Sequence, residues 1–426
     1  MAGRGNVLKL DWLSILLYFL LVGFGYINIL SASSSGEITS YVDMSQPYGK
    51  QLVFILFSLV LIILVLAIEA KFYERFASII YFASLLSLIG LLIGLGKNVN
   101  GATSWYAIGG MTLQPSEFAK CATALAVAKY ISDLQTNIKD IRHQLKTAAI
   151  ILVPAILILL QNDAGSTIVY AAFFFVFYRE GIPQIYLILG LALMILAVSS
   201  LKFLALPTAI GAAILIFLHY FFIRKKNKRI LQPIFITLAS VVFVFGVQFF
   251  YSNILQPHQQ DRISLWLRLE KDPEKLEAMK RDILYNLHES EKAISAGGIK
   301  GKGFMEGTRT IGNFVPEQHT DYIFSTVGEE WGFIGSSLVV VLFVLLLIRI
   351  LQRAENQKSQ FSRVYGYSVA SILFIHFLIN IGMVMGLIPT IGIPLPFFSY
   401  GGSSLWGFTI LLFVFIKLDS NRINEW

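Results

Sequence analysis

Between Gln256 and Glu330 the chain gathers Asp261, Arg262, Asp272, Glu289, a glycine-rich stretch from Gly297 to Gly303, and then Pro316-Glu317-Gln318-His319-Thr320-Asp321. A connecting loop needs no such density of acids, bases and glycines. Carboxylates can accept protons and cations can stabilise developing negative charge, so these residue types suit general-base chemistry on an anionic substrate. A plainer reading stands beside that one. Lys271, Glu274, Lys275, Glu277, Lys280 and Arg281 suit a solvated amphipathic segment near lipid headgroups. Asp272 before Pro273 suits a helix N-cap followed by proline at the first helical position. The glycines read as turn residues rather than as a phosphate cradle.

Three further groups carry polar residues into hydrophobic surroundings. Asn100-Gly101-Ala102-Thr103-Ser104-Trp105-Tyr106 leads into Gln114-Pro115-Ser116-Glu117-Phe118-Ala119-Lys120. Pro115 and Ser116 are ordinary helix-start residues, but Glu117 and Lys120 share one helical face inside an apolar segment, where charge marks a cavity or pathway. Gln161-Asn162-Asp163-Ala164-Gly165-Ser166 reads equally as a capped turn and as a substrate contact. From Gly386 to Ser404, prolines and glycines forbid one continuous helix. Irregular backbone at membrane depth must be buried in protein or line a wet cavity, so a re-entrant loop is expected there.

The elements that must position these groups follow from composition. The chain has 426 residues, 56% hydrophobic and only 14% charged, with mean hydropathy +0.68. A soluble chain would carry nearer about a quarter charged residues. Hydrophobic runs near 10–32, 51–70, 76–95, 114–131, 146–161, 165–178, 184–202, 206–223, 230–253, 332–349, 364–388 and 402–417 predict about 10–12 transmembrane helices, each scaled to a hydrocarbon core of roughly 30 Å. The expected fold is an all-α polytopic membrane protein: one transmembrane domain over 1–426, with a large extracytoplasmic loop at 254–331. The first run is long and lacks a cleavage site, so it reads as a span and not as a cleaved signal peptide. The lone Cys121 excludes an intrachain disulfide. Lys71 with Arg75, Lys139 with Arg142 and Lys146, Arg224 to Arg229, and Arg349 with Arg353, Lys358 and Arg363 all alternate onto one side, which predicts cytoplasmic termini. Because the formal charge of +8 is spent in these loops, it does not imply nucleic acid.

The motifs together resemble the SEDS family (shape, elongation, division and sporulation), the RodA- and FtsW-like peptidoglycan polymerases. The resemblance rests on the Asn100–Trp105 segment with Gln-Pro-Ser-Glu117 and Lys120, the Gln161–Gly165 turn, Pro316–Asp321 with the following Gly328-Glu329-Glu330, and Pro389 to Ser404, all in family order. It implies a glycosyltransferase that polymerises lipid II at the outer face of the bacterial inner membrane, with an extracytoplasmic active site, and the rod-elongation branch rather than the division branch. By that resemblance Asp272 is the base on the acceptor hydroxyl. Lys120 and Arg262 recognise pyrophosphate, Glu117 positions Lys120, and His319 and Asp321 shape the cavity. Trp105, Glu317, Ser399 and Ser403 complete the implied substrate-binding set.

This chain departs from the family pattern in places. A longer charged stretch follows Asp272-Pro273, which leaves Asp282 as a rival base. Ser104, Asn162 and Gln260 replace the usual Arg, Pro and Arg, and Glu289-Ser290 stands for Gln-Ser. The family implies ten spans, so the pair within 184–228 is additional.

The resemblance also implies a class B penicillin-binding protein as cross-linking partner, since the chain shows no transpeptidase serine motif, and other membrane proteins of the elongation complex. A divalent cation, Mg or Mn, is expected to balance pyrophosphate, although no ligand spacing is readable; no organic cofactor is expected. Two rival functions use the same intramembrane charges: a lipid II flippase, and a secondary transporter with broken helices.

Overall fold

The computed structural model describes residues 10–34, 40–99, 101–109, 111–133, 137–222, 230–255, 257–269, 272 and 285–422. Its chain divides into two compact units, one of residues 1–182 with 286–426 and one of 183–285.

The first unit opens with α1 (Trp12–Ser33), α2 (Pro47–Ala67) and α3 (Ala70–Gly90). A three-stranded antiparallel sheet follows: β1 (Lys97–Val99), β2 (Ala102–Ile108) and β3 (Met111–Leu113), with Lys97 opposite Trp105 and Ala107 opposite Thr112. The all-α expectation stands, with this small sheet added in a loop between spans. Alternating Thr103, Trp105 and Ala107 in a loop between spans pair as hairpins, as strand-forming residues at turn signals do. Helices α4 (Pro115–Ser132), α5 (Ile141–Leu160), α6 (Ala164–Val169) and α7 (Phe173–Arg179) come next. The second unit holds α8 (Ile185–Phe203), α9 (Ala205–Phe222), α10 (Leu231–Asn253) and α11 (Pro257–Trp266). The chain then returns to the first unit through α12 (Tyr285–Gly297), α13 (Thr308–Ile311), α14 (Ile323–Glu355), α15 (Gln360–Val384) and α16 (Gly402–Asn421).

Ten helices among the described residues are long and apolar enough to cross a membrane: α1, α2, α3, α5, α8, α9, α10, α14, α15 and α16. Two of the expected spans differ from that simple form. The run at 114–131 is α4, whose Glu117, Lys120 and Lys129 make it too polar to face lipid; it is instead buried against α3, α5, α15 and α16. The run at 165–178 is divided by a short 3-10 turn at Tyr170–Ala172. The span expected from 332 begins earlier, at Ile323, and Gly332 breaks its helix with φ 61°.

Helix ends are tied by charge. Asp11, buried before α1, accepts hydrogen bonds from Arg349 Nη2 on α14 at 2.7 Å and from Ser14 Oγ at 2.7 Å. Arg353, one turn beyond Arg349, also meets Asp419 of α16 at 3.5 Å. One carboxylate thus ties the start of α1 to α14 and, through Arg353, to α16. Removing one partner from such a buried pair costs about 3–5 kcal/mol, because the other charge stays buried without compensation. Asp11→Ala is therefore expected to lower the unfolding temperature of the detergent-solubilised protein by several degrees. Unfolding at the wild-type temperature would show that the network contributes nothing to the fold.

Candidate functional site

The start of α4 is fixed at Gln114. Its N–H donates to Ser403 Oγ of α16 at 3.0 Å, and its side-chain amide donates to Asp163 Oδ2 at 2.9 Å. Asp163 also caps α6 by accepting from Ser166 N at 2.9 Å. The capped-turn reading of Gln161–Ser166 holds at Asp163, which also fixes the start of α4. Thr103 N of β2 donates to Gln161 O at 3.0 Å, which anchors the sheet to the same turn.

One turn inside α4, Lys120 Nζ lies 2.8 Å from Glu117 Oε1 and 2.9 Å from His376 Nε2 on α15. The three residues are 1%, 3% and 0% exposed. A lysine ammonium has donors and no acceptor, so His376 Nε2 must accept and the ring proton must sit on Nδ1. Nδ1 faces Pro394 O at 3.3 Å, which is consistent with that tautomer. Phe408 of α16 lies under the ammonium at 5.0 Å and packs edge-on to His376. The Lys120 ammonium thus meets Glu117, His376 and the Phe408 ring, while Glu117 Oε2 has no hydrogen-bond partner.

Side chains of the neighbouring helices hold the irregular segment from Gly386 to Gly401. Asn380 Nδ2 of α15 donates to Ile393 O at 2.7 Å and to Asp321 O at 2.8 Å. Ser399 Oγ accepts from Leu395 N at 2.9 Å, and Gln51 of α2 accepts from Gly401 N at 3.1 Å. Gly165 lets α6 approach closely: a Cβ there would meet Ile393 at 2.9 Å. Tyr400 N donates to His319 O at 2.9 Å, and the two rings lie 5.3 Å apart. Buried polar side chains thus satisfy backbone that no helix satisfies.

The glycine-rich stretch works in the same way on α14. Lys302 N and Gly303 N each donate at 3.0 Å, to Glu329 O and Glu330 O, and Phe333 N donates to Gly298 O at 2.9 Å. Gly297, Gly301 and Gly332 meet backbone where a Cβ would collide. These glycines are therefore turn residues that splint the break at Gly332. The fully buried Glu329 carboxylate accepts from Lys302 Nζ at 2.7 Å, Thr310 N at 2.8 Å and Arg309 N at 3.0 Å, which pins α13. Glu289 pairs with Arg309 and with Lys292.

The structure thus gathers Glu117, Lys120 and Ser403 around α4, and His319, Asp321 and Ser399 around the irregular loop. Glu317, at φ 56°, accepts from Thr320 Oγ1 at 3.1 Å and shapes its own turn. Trp105 is half-buried on β2. Arg262 and Asp272 are exposed in the second unit. Asp282, the charged stretch from Glu274 and the cap geometry after Asp272 lie outside the described residues. Among the described residues no cluster of three or more His, Cys, Asp or Glu side chains could hold a metal ion. Sequence reasoning missed His376 and Asn380. A lone histidine in an apolar span was the available signal.

Residues 11–423 match the cell cycle protein family of FtsW, RodA and SpoVE. The chain is 29% identical to the peptidoglycan glycosyltransferase RodA of Treponema pallidum, over 98% of this chain and 99% of that protein. It is also 29% identical to the peptidoglycan glycosyltransferase MrdB of Escherichia coli K12, over 92% of this chain and 88% of that protein. A solved chain from a peptidoglycan synthase complex that coordinates polymerization and crosslinking shares the fold, with TM-score 0.72 and 24% identity over 98% of this chain and 99% of that one.

Two expectations follow from the geometry. Lys120→Ala leaves Glu117 buried and unpaired, so a loss of about 3–5 kcal/mol in stability is expected, whereas Glu117→Gln with Lys120→Met restores most of it. Unfolding at the wild-type temperature with glycan synthesis abolished would instead make Lys120 a direct substrate contact. For His319, burial lowers the imidazole pKa from its ordinary 6.5 and outweighs the opposing charge of Glu317. A depressed folded value means that this residue's contribution is whole above about pH 6.5 and is lost as pH falls towards the folded value. Thermal stability should decline on that acid side, and His319→Gln should flatten the decline; an identical pH profile in the variant would refute it.

Proposed function

Because the chain belongs to the cell cycle protein family of FtsW, RodA and SpoVE, we propose that it polymerises lipid II into glycan strands at the outer face of the bacterial cytoplasmic membrane, serving rod elongation and cell shape. The observation that carries the reading is a family match running through both units and all ten apolar helices. Peptidoglycan glycosyltransferase is the activity for which its relatives are named.

In this reading the acceptor sugar hydroxyl attacks the anomeric carbon of the donor. Asp272 takes the hydroxyl proton as the new carbon–oxygen bond forms. The bond from the anomeric carbon to pyrophosphate breaks, and the leaving group departs with the electron pair as undecaprenyl pyrophosphate. Exposure of Asp272 suits a base that must meet a lipid-linked sugar at the membrane surface. Arg262, exposed in the same unit, supplies positive charge to the leaving group. Lys120 already donates to Glu117 and His376, so its part in this reading is to hold α4 and, through His376, the loop at Pro394. Mg or Mn would travel with the pyrophosphate as part of the substrate, since the described residues offer it no cluster of ligands. The distribution of basic loops supports a reading with both termini in the cytoplasm and Asp272 outside. Cross-linking falls to a partner, a class B penicillin-binding protein, in keeping with the complex whose chain shares this fold.

A flippase would use the same buried charges without an outer base. The discriminating experiment is glycan synthesis from lipid II by purified protein with a divalent cation and the partner, comparing wild type, Asp272→Ala and Asp282→Ala. Product is expected to vanish with Asp272→Ala while lipid II binding and unfolding temperature hold. Loss only with Asp282→Ala moves the base. Lipid II translocation without any product, even from wild type, replaces the polymerase by the flippase.

A further inference from the structure

The additional helix pair, α8 and α9, is the one large element that glycosyl transfer leaves without a task. Its joint is strained. Leu204 adopts φ 68° and ψ 160°, a region essentially reserved for glycine and costing about 1–3 kcal/mol for other residues. Surrounding hydrogen bonds hold it there: Ala205 N donates to Gln248 Oε1 at 3.2 Å, Ser200 Oγ to Val244 O at 2.9 Å and Thr208 Oγ1 to Ser199 O at 3.0 Å. Strain of this kind persists only where surrounding contacts over-determine it, and it clusters at functional sites.

At this joint opens a cleft of about 550 Å³, lined by Lys202, Phe203 and Leu204, by Gln248 and Tyr251 of α10, and by Ser264 of α11. Among the described residues of the lining, Lys202 is the one that carries charge. Asp261 lies close enough to Tyr251 to act on it but does not line the cleft. Gln248 Oε1 accepts from Ala205 N, so its amide nitrogen is the Gln248 donor at the cleft, while the Ser264 side chain hydrogen-bonds Tyr251. Tyr251 gives its own proton to Gln260 O at 3.1 Å. Donors and one cation thus share a rim with Phe203 and Leu204, which are 61% and 64% exposed. A water-soluble anion would not need that apolar wall, and a hydrocarbon would not need the cation. The cleft lies where apolar helices α8 and α10 end, at the membrane boundary, which is the depth of lipid phosphates. Leu201 and Leu269, the latter three residues before Asp272 in the chain, also line it.

We propose that this cleft is a docking site for a phosphate-bearing lipid, with Lys202 and the Gln248 amide on the phosphate, Ser264 in the wall beside them, and Phe203 and Leu204 against the first carbons of the tail. The site goes beyond glycosyl transfer and rests on that reading only for its assignment to the outer leaflet. Two sources share the chemistry, a polyprenyl phosphate and a bilayer phospholipid.

The test uses the full chain in a phosphate-free maltoside detergent. Native mass spectrometry measures binding of undecaprenyl phosphate, phosphatidylglycerol and undecaprenol, with no turnover, so the result stands whatever Asp272→Ala does to synthesis. Lys202→Gln is expected to weaken the phosphate-bearing lipids about ten-fold, as loss of a charged hydrogen bond does. Ser264→Ala should weaken them less, Lys202→Arg should retain binding, and unfolding temperatures should not change. A loss confined to undecaprenyl phosphate identifies the isoprenoid carrier as occupant. A loss for phosphatidylglycerol as well identifies a general lipid-phosphate site. Unchanged binding in both Lys202→Gln and Ser264→Ala, or undecaprenol binding as tightly as undecaprenyl phosphate, overturns the proposal.

Discussion

An ion pair removed from water governs the first unit. Glu117 and Lys120 sit in a helix among apolar neighbours, and neither charge is tolerable against lipid. The helix that bears them must therefore be wrapped by others, and α4 lies against α3, α5, α15 and α16 with nearly every side chain covered. The second consequence reaches further. The ammonium fixes the tautomer of His376, and His376 faces Pro394 at the centre of the irregular loop. A charge placed by one short motif on α4 is thus coupled to backbone on the far side of α15. Substituting either charge alone would disturb more than a pair.

The same economy appears wherever the backbone leaves a helix. Each break exposes carbonyls and amides that water cannot reach, so each needs a dedicated polar partner. Asn380 serves the loop at Ile393 and the turn at Asp321 together. The Gly298–Gly303 backbone serves the break at Gly332. Asp163 serves α6 and Gln114 together. These double contacts explain why motifs far apart in the chain arrive at one place: each supplies what another's broken hydrogen bonds lack.

Much of this was legible beforehand, and the reason is physical. Apolar runs declare spans by length, and the pair Glu117 and Lys120 declared itself by cost, since such charges survive in a membrane only when compensated. The break at 165–178 and the burial of α4 were less legible, because hydropathy measures how apolar a segment is and not which neighbours it meets. The sheet at Lys97–Leu113 was hidden by its shortness. His376 and Asn380 were hidden for another reason: a single polar residue in a span has no local pattern, and its partners lie in other motifs. The glycines from Gly297 to Gly303 were read as turn residues, but their partner, the helix break at Gly332, is a tertiary fact.

The distribution of polar groups between the two units bears on where chemistry can happen. In the first unit several implied site residues are engaged in holding structure: Ser399 on Leu395 N, Ser403 on Gln114 N, and Lys120 on Glu117 and His376. A group committed to the fold cannot follow a charge that develops and leaves during a reaction without weakening the fold. In the second unit Arg262, Asp272 and Lys202 are exposed. A lipid-linked substrate arrives by diffusion in the membrane and departs as a more highly charged product. The groups that receive it must be reachable from that surface. In the proposed reading, the exposed charges of the second unit are the ones that meet an anionic lipid at that surface.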